Sequence, residues 1–312
     1  MDTGDRMFEY WYNYRMAEYK DGVVPEKLMS FMSSQLAWIR SQVSSQSQDP
    51  YWVQMGLLMA QFDGLVAGHQ LAPVNDSMSE LEIYLLNSVG DLEDLNGLFT
   101  ENDLSARPSP PARDLMLDCS GFIRLLDGGD IAVAHATWRD YYAMLRVYKV
   151  YRLSFCPPVS FSSSPGFLHS KDDFYAMQDL VTLETTNSVF NKTLYSYLTP
   201  ASAFSWQRAA VSNCLAKGGR QWTDMFARYN SGTYNNQWMA VDMGLLRHHR
   251  RQRGQTSWPA NDLLWIAEQI PTVVQTQDVT SVLLDQQYWG SYNIPYLQRV
   301  YNMSGYPAMA DK

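Results

Sequence analysis

The stretch CSGFIRLLDGGDIAVAH, residues 119–135, decides the fold of this chain. Gly121 to Leu126 is an apolar run with the length of a buried strand, and Ile131 to His135 is a second such run. Gly128-Gly129 lies between them and suits a tight hairpin turn. The stretch therefore predicts a β-hairpin that begins at Cys119.

The chain before this hairpin has helical periodicity through residues 1–90. Apolar residues recur at steps of three and four in two stripes: Leu28, Met29, Met32, Leu36, Ile39 and Val43, then Trp52, Met55, Leu58, Met59, Phe62 and Leu65. Residues 101–113 contain three prolines, which predict an exposed linker. We therefore divide the chain into a helical segment with its linker, 1–118, and an α+β core that carries the candidate nucleophile, 119–312.

Strands and helices alternate after the hairpin. The patterns predict helices at 140–151, 204–216 and 222–229, strands at 159–162, 180–186 and 237–242, and a short apolar element at 263–269. Helices first, followed by strands mixed with helices, indicate an α+β layered fold.

Composition excludes several classes of protein. The 312 residues are 46% hydrophobic and carry a net charge of −8, so we expect a globular protein without an overall field for nucleic acid. The basic run at 247–253 is predicted to be a solvated loop, with a phosphate-headgroup contact as the alternative. No apolar run approaches the ~20 residues of a transmembrane helix. The first twenty residues have no apolar core typical of a signal peptide.

Three cysteines, Cys119, Cys156 and Cys214, show no C-x-x-C spacing for zinc. We expect neither a metal nor a cofactor. An odd number leaves one thiol outside any disulfide, and the pairing stays open. Three glycosylation sequons begin at Asn75, Asn191 and Asn302. They hint weakly at secretion.

Cys119 follows the linker directly, at the start of a strand. A cysteine in this position is most often a small buried apolar residue. If the preceding peptide bond is cut, however, its α-amine, with a pKa of roughly 7.7–8.0, can act as base for a thiol with a pKa of about 8.5. The exposed linker is accessible to such cleavage.

Ten short sequence segments, which occur in the same order as in a known family, favour this second interpretation. They include CSGFIRLL (119–126), AHATW (134–138), LVTLETT (180–186), FARYNSGTYNNQWM (226–239) and YWGSYNIP (288–295). Together they resemble the phospholipase B-like family, secreted or lysosomal glycoproteins among the N-terminal nucleophile hydrolases. The resemblance runs in order from Cys119 to about Gly305 and is looser in the N-terminal helices.

The resemblance implies a fold and a site. The fold would be an αββα sandwich preceded by the helical segment. Cys119 would be the nucleophile, exposed by autocatalytic cleavage after Asp118, and Asn293 would stabilise the oxyanion. The pocket positions it implies are His135, Trp138 and Thr186. The residues alone leave alternatives open: a core histidine, a packed tryptophan and an ordinary strand threonine.

The resemblance also implies an activity and a compartment. We expect an acyl hydrolase acting on phospholipid esters or N-acyl amides, in the lysosome or secreted. Family precursors start with a signal peptide and continue beyond the word matching 302–305, including a pocket arginine. The chain is therefore expected to be truncated at both ends. The alternative function is an inactive glycoprotein that binds lipid or protein partners. A papain-like protease is disfavoured because the C-G-x-C-W context is lacking.

Overall fold

Five helices build the N-terminal part of the molecule. The computed structural model describes residues 2–72, 77–100 and 119–310. The helices are α1 Asp2–Glu18, α2 Glu26–Ser45, α3 Pro50–Leu71, α4 Glu80–Asn87 and α5 Val89–Thr100. The predicted helical segment is therefore confirmed. The predicted linker at 101–113 lies outside the described residues, as does Asp118.

Capping residues explain where two of these helices start. The Asp49 side chain accepts a 2.9 Å hydrogen bond from the backbone N–H of Tyr51, at the first turn of α3. Ser79 and Glu82 form a reciprocal capping box on α4. The apolar faces of the five helices share one core with Phe204 and other residues near the later helix α6, Ser205–Leu215. This core joins the N-terminal helices to the rest of the molecule.

Within the described residues, ten strands form two antiparallel sheets. The strands are β1 Cys119–Leu125, β2 Ile131–Thr137, β3 Val147–Tyr151, β4 Val159–Ser163, β5 Phe174–Met177, β6 Leu180–Thr186, β7 Asn236–Asp242, β8 Leu264–Ile270, β9 Val273–Asp278 and β10 Tyr288–Ser291. The smaller sheet has the order β10-β1-β2, and the larger runs from β3 to β9 in chain order. The remaining helices are α7 Gly219–Phe226, α8 Met243–Arg253, α9 Thr280–Gln286, α10 Gln298–Ser304 and α11 Tyr306–Ala310.

The predicted hairpin is confirmed as β1 and β2. Cys119 pairs with Thr137, and Gly121 pairs with His135. The turn needs its glycines because Gly129 has a φ of 90° and a Cβ there would lie 2.4 Å from the carbonyl oxygen of Gln255.

Strand β7 shows how the layers are arranged, because it is buried on both faces. Met239 and Val241 belong to a cluster that includes Ile123 of β1, so this face packs against the smaller sheet. Trp238 belongs to a second cluster that includes Trp222 of α7, so the opposite face packs against helices. The alternation of side chains along the strand gives both contacts.

These packed layers confirm the α+β class. One helical layer, the larger sheet and the smaller sheet follow one another in the described residues. The specific αββα sandwich with its second helical layer remains a prediction, and so does the division at residue 118.

Two local predictions were wrong. Residues 140–151 form a short 3-10 turn, Tyr141–Ala143, and then β3, where β-branched and aromatic residues pair with β4. The basic run is helix α8 and not a loop, because Asp242 caps its start by accepting a 2.7 Å hydrogen bond from the Leu245 N–H. Three arginines in its last turn interact favourably with the negative end of the helix dipole. The other predicted helices and strands occur within a few residues of their expected bounds, and the apolar element at 263–269 is β8.

Candidate active site

Cys119 is the first residue of β1, the central strand of the smaller sheet. Cys119 is only 6% exposed. Its Sγ lies 3.8 Å from the Oγ1 of Thr137, its partner across the hairpin. The thiol therefore occupies one end of the sheet, with a hydroxyl group beside it.

Asn293 contacts the backbone of Cys119. Its Oδ1 lies 3.4 Å from the Cys119 nitrogen, and its Nδ2 donates a 2.7 Å hydrogen bond to the carbonyl of Thr186. The φ of Asn293 is 65°, in the left-handed region that asparagine tolerates better than most residues. Tyr306 stabilises this conformation by donating a 2.7 Å hydrogen bond to the Asn293 carbonyl. Asn293 thus joins the start of β1 to the end of β6.

His135 lies beside the thiol, on β2. Its Nε2 is 2.8 Å from the carbonyl oxygen of Glu184, so this nitrogen must carry the hydrogen and donate. Its Nδ1 is 3.3 Å from Thr137 Oγ1. Burial lowers the pKa of His135, which favours the neutral ring at neutral pH. The half-buried ring therefore has a defined tautomer and a lone pair on Nδ1.

The cavity beside Cys119 contains two further predicted residues. Trp138 and Thr186 line it together with Cys119 and Thr137, and its volume is about 380 Å³. Trp138 is 73% exposed, so it does not belong to the core. The structure thus brings Cys119, Trp138 and Thr186 to one cavity. His135 lines a second cavity of about 630 Å³, which shares Thr137, Arg139 and Asp140 with the first.

Sequence reasoning missed the opposite wall of the smaller cavity. Tyr14 and Glu18 of α1, Glu93 of α5, and Lys171 and Tyr234 of two loops line it. Tyr234 lies within the segment 226–239 that carries the family resemblance, but no local pattern marks any of the five as a pocket residue. The N-terminal helices thus form part of the wall that faces Cys119.

An ionic network that is buried except at Glu93 connects the residues of this wall. The Lys171 ammonium group lies 2.9 Å from Glu93 Oε1 and 4.0 Å from the centre of the Tyr234 ring. The Tyr234 hydroxyl lies 3.0 Å from Glu184 Oε1. Burial raises the pKa of Glu184, and the neighbouring Asp173 carboxyl raises it further. One ligand atom of Glu184 lies within 4.8 Å of those of Cys119 and His135, and the Lys171 cation acts on the same carboxyl by lowering its pKa.

The second and third cysteines form a disulfide, Cys156–Cys214, with Cα atoms 4.7 Å apart. Of the predicted glycosylation sites, Asn302 is exposed on α10. Asn191 is half-buried, and its Nδ2 donates a 3.2 Å hydrogen bond to the carbonyl of Met303. Asn75 lies outside the described residues.

The fold and the site define an α+β protein whose candidate nucleophile is a cysteine at the start of a central strand. The chain belongs to the phospholipase B family, whose model matches residues 2–312. This result confirms the resemblance observed in the sequence.

Named relatives are similar over nearly the whole chain. Phospholipase B-like protein G of Dictyostelium discoideum is 42% identical over 99% of this chain and 56% of its own length. Phospholipase B-like 1 of Rattus norvegicus is 38% identical over 99% of this chain and 57% of its own length. Phospholipase B of Crotalus adamanteus is 36% identical over 97% of this chain and 57% of its own length. The chain therefore spans just over half the length of these relatives. Among the described residues, no helix combines the length and apolar character needed to cross a bilayer.

Proposed function

We propose that this chain is an acyl hydrolase of the phospholipase B type, with Cys119 as its nucleophile. The observation that carries the proposal is the position of Cys119 at a strand start, with its nitrogen 3.4 Å from Asn293 Oδ1 and its side chain in a cavity. A nucleophile and a base on one residue need this placement, because both must face the substrate.

Activation would require cleavage of the peptide bond between Asp118 and Cys119. The new α-amine would stand where the backbone nitrogen of Cys119 stands, and Oδ1 of Asn293 would accept a hydrogen from it. An α-amine with a pKa of roughly 7.7–8.0 is well matched to exchange a proton with a thiol at about 8.5. His135 is then a pocket residue rather than the base.

The reaction has two halves. The α-amine takes the thiol proton, and Sγ of Cys119 forms a bond to the acyl carbonyl carbon. The tetrahedral intermediate collapses to a thioester as the leaving alcohol or amine takes a proton from the α-ammonium. Water, deprotonated by the same amine, then attacks the thioester, and the intermediate expels the thiolate and releases the fatty acid. The thiolate regains a proton.

Asn293 has two tasks in this proposal. Its Oδ1 orients the α-amine, and its NH₂ group carries a second hydrogen besides the one bonded to Thr186. That hydrogen is the donor we assign to the oxyanion. Removing one oxyanion donor from comparable sites costs about 2.7–4 kcal/mol in activation free energy.

The two adjoining cavities suit an amphipathic acyl substrate. The wall of the larger one has apolar residues, including Val133, Met144 and Phe174, as well as charged ones such as Arg146 and Asp172; the acyl chain would contact the apolar residues. The smaller one contains Glu93, Lys171 and Arg139, and would take the polar part of a phospholipid or N-acyl amide. Both cavity volumes lie within the roughly 300–1,000 Å³ range of small-molecule sites.

The proposed compartment is lysosomal or extracellular, with glycosylation at the sequons. The Cys156–Cys214 disulfide supports this, because such bonds persist mainly in oxidising compartments. Exposure of Asn302 supports a glycan at that position.

The test is cleavage linked to activity. The chain is expressed through a secretory route, and its fragments are analysed by N-terminal sequencing and by release of fatty acid from a phospholipid and an N-acyl amide. We expect a fragment that begins Cys119-Ser120 and activity only in the cleaved form. Cys119→Ala should give an intact, inactive chain, while His248→Gln on helix α8, which lines neither cavity, should behave as wild type. An intact wild-type chain that still releases fatty acid, or activity that survives Cys119→Ala, would overturn the proposal.

A further inference from the structure

Three side chains with different metal-binding chemistry meet at the candidate active site. One ligand atom each of Cys119, His135 and Glu184 lies within 4.8 Å of the other two. An ion placed between atoms this close would lie about 2.8 Å or less from each of them. Ligand distances in zinc sites are roughly 2.0–2.3 Å. Small side-chain rotations would therefore bring all three to bonding distance.

Glu184 supplies an independent indication of a ligand. The residue is fully buried, and its Oε1 lies 3.0 Å from the Tyr234 hydroxyl. Its Oε2 is also buried and has no hydrogen-bond partner among the described residues. A buried carboxyl oxygen without a partner is unfavourable, and a bound cation would satisfy it.

His135 has the second contact that metal-bound histidines usually have. Its Nε2 donates to the carbonyl of Glu184 at 2.8 Å, which fixes the ring and leaves the lone pair on Nδ1. Histidine ligands nearly always donate their other ring N–H to a carbonyl or carboxylate in this way. Thr137 Oγ1 now lies 3.3 Å from Nδ1 and 3.8 Å from the thiol sulfur, between two of the three candidate ligands.

We propose that Cys119, His135 and Glu184 bind a divalent transition-metal ion of the Zn²⁺ class, and that this ion reversibly blocks the thiol. Thiolate, imidazole and carboxylate are the three ligand types that Zn²⁺ takes, with water as the fourth ligand. The ion would occupy the sulfur lone pair that attacks a substrate, so the thiol would become reactive only after the ion leaves. The three side chains are present whether or not the chain is cleaved, so metal binding does not depend on the proposed function, whereas a block of catalysis rests on it.

The experiment measures metal binding directly, without substrate. The full chain is stripped of metal and titrated with Zn²⁺ by calorimetry, and with Co²⁺ by absorption spectroscopy. We expect one ion per chain, a near-ultraviolet band from the thiolate–Co²⁺ bond, and slower alkylation of Cys119 when Zn²⁺ is present. Cys119→Ala should abolish the band.

Matched variants decide which residues bind the ion. His135→Gln keeps an N–H donor for the Glu184 carbonyl but removes the ligand, so affinity should fall by more than the ~10–100-fold that loss of an outer partner costs. Glu184→Gln should weaken binding similarly. If its buried position prevents folding, the other two variants decide.

His248→Gln is the control, because it removes an exposed imidazole on α8 and should leave affinity unchanged. Unchanged affinity in His135→Gln, a band that persists in Cys119→Ala, or loss of binding in His248→Gln would overturn the inference.

Discussion

The backbone nitrogen of Cys119 lies 3.4 Å from Oδ1 of Asn293, although 174 residues separate them in the chain. The same asparagine donates to the carbonyl of Thr186 at 2.7 Å, and its own carbonyl accepts from Tyr306. One side chain thus determines the positions of the start of β1 and the end of β6 relative to each other.

Asn293→Ala should lower kcat by about 10²–10³-fold with little change in KM, because the lost amide acts mainly in the transition state. Tyr306→Phe removes only the hydroxyl that holds the Asn293 carbonyl, so kcat should fall about tenfold, within the net value of one hydrogen bond. Both are measured by steady-state hydrolysis. Tyr288→Phe, at an exposed ring, is the control; an equal loss there would contradict a specific role for Tyr306.

Tyr234→Phe should lower the free energy of unfolding by about 1–3 kcal/mol. The hydroxyl is buried between the Lys171 carbonyl, at 2.9 Å, and Glu184 Oε1, at 3.0 Å, so its loss leaves both acceptors without this contact. Urea denaturation measures the change. Tyr197→Phe, at a ring 64% exposed, should have almost no effect. Equal midpoints for the two variants would show that the network contributes little to stability.

Stability should increase as the pH falls from about 7.5 to about 5.5. Burial raises the pKa of Asp91 and Glu268 to about 7 and that of Asp94 to about 6. The folded state therefore binds these protons more tightly than the unfolded state. Their stabilising effect is complete below the unfolded pKa and is lost as the pH rises through the folded pKa, at roughly 1.4 kcal/mol per pH unit and group.

His169 opposes this trend. Burial lowers its pKa to about 3, so its contribution is lost as the pH falls below the ordinary histidine value. Burial also lowers the pKa of His135, so two imidazoles oppose the three carboxyls. We expect the carboxyls to outweigh them, and the melting temperature should be higher at the lower pH. Asp91→Asn should reduce the difference between the two pH values. A melting temperature that is higher at pH 7.5 would contradict the raised carboxyl pKa values.

Loss of the Cys156–Cys214 disulfide should lower stability by about 4 kcal/mol, because the bond closes a loop with a sequence separation of 58. The double variant Cys156→Ala and Cys214→Ala is compared with wild type by thermal unfolding. Reductant should lower the melting temperature of the wild type and leave the double variant unchanged. If reductant lowers the melting temperature of both proteins equally, the effect comes from Cys119 and not from the disulfide.

Gly121→Ala should destabilise the protein by about 1–3 kcal/mol, as overpacking between layers does. A Cβ at this position would lie 2.9 Å from Met239 Cε and 3.4 Å from Thr185 Cγ2, where β1 approaches β6 and β7. Gly64→Ala on helix α3 meets no atom within 4 Å and should be neutral or slightly stabilising. Unfolding midpoints compare the two. Equal stability would mean that Met239 moves aside without cost.

Much of the framework follows from short-range patterns in the sequence. The hairpin from Cys119 to Thr137, the helical N-terminal segment and strands β6 and β7 all have the period of their element and clear ends. Short patterns gave wrong predictions: the spacing at 140–151 predicts a helix where β3 lies, and the basic run at 247–253 predicts a loop where helix α8 lies. The segments that resemble the family also indicated Cys119, Trp138 and Thr186, which line one cavity.

Only the tertiary structure decided what surrounds the thiol. Glu93 and Tyr14 reach the cavity from helices near the N-terminus, and Glu184 comes within 4.8 Å of Cys119 and His135 from the other sheet. No local period encodes such contacts, because they depend on how sheets and helices pack over long separations. The sequence by itself determined most of the helices and strands and the cysteine at which the hairpin begins; packing determined which charges and candidate ligands that cysteine faces.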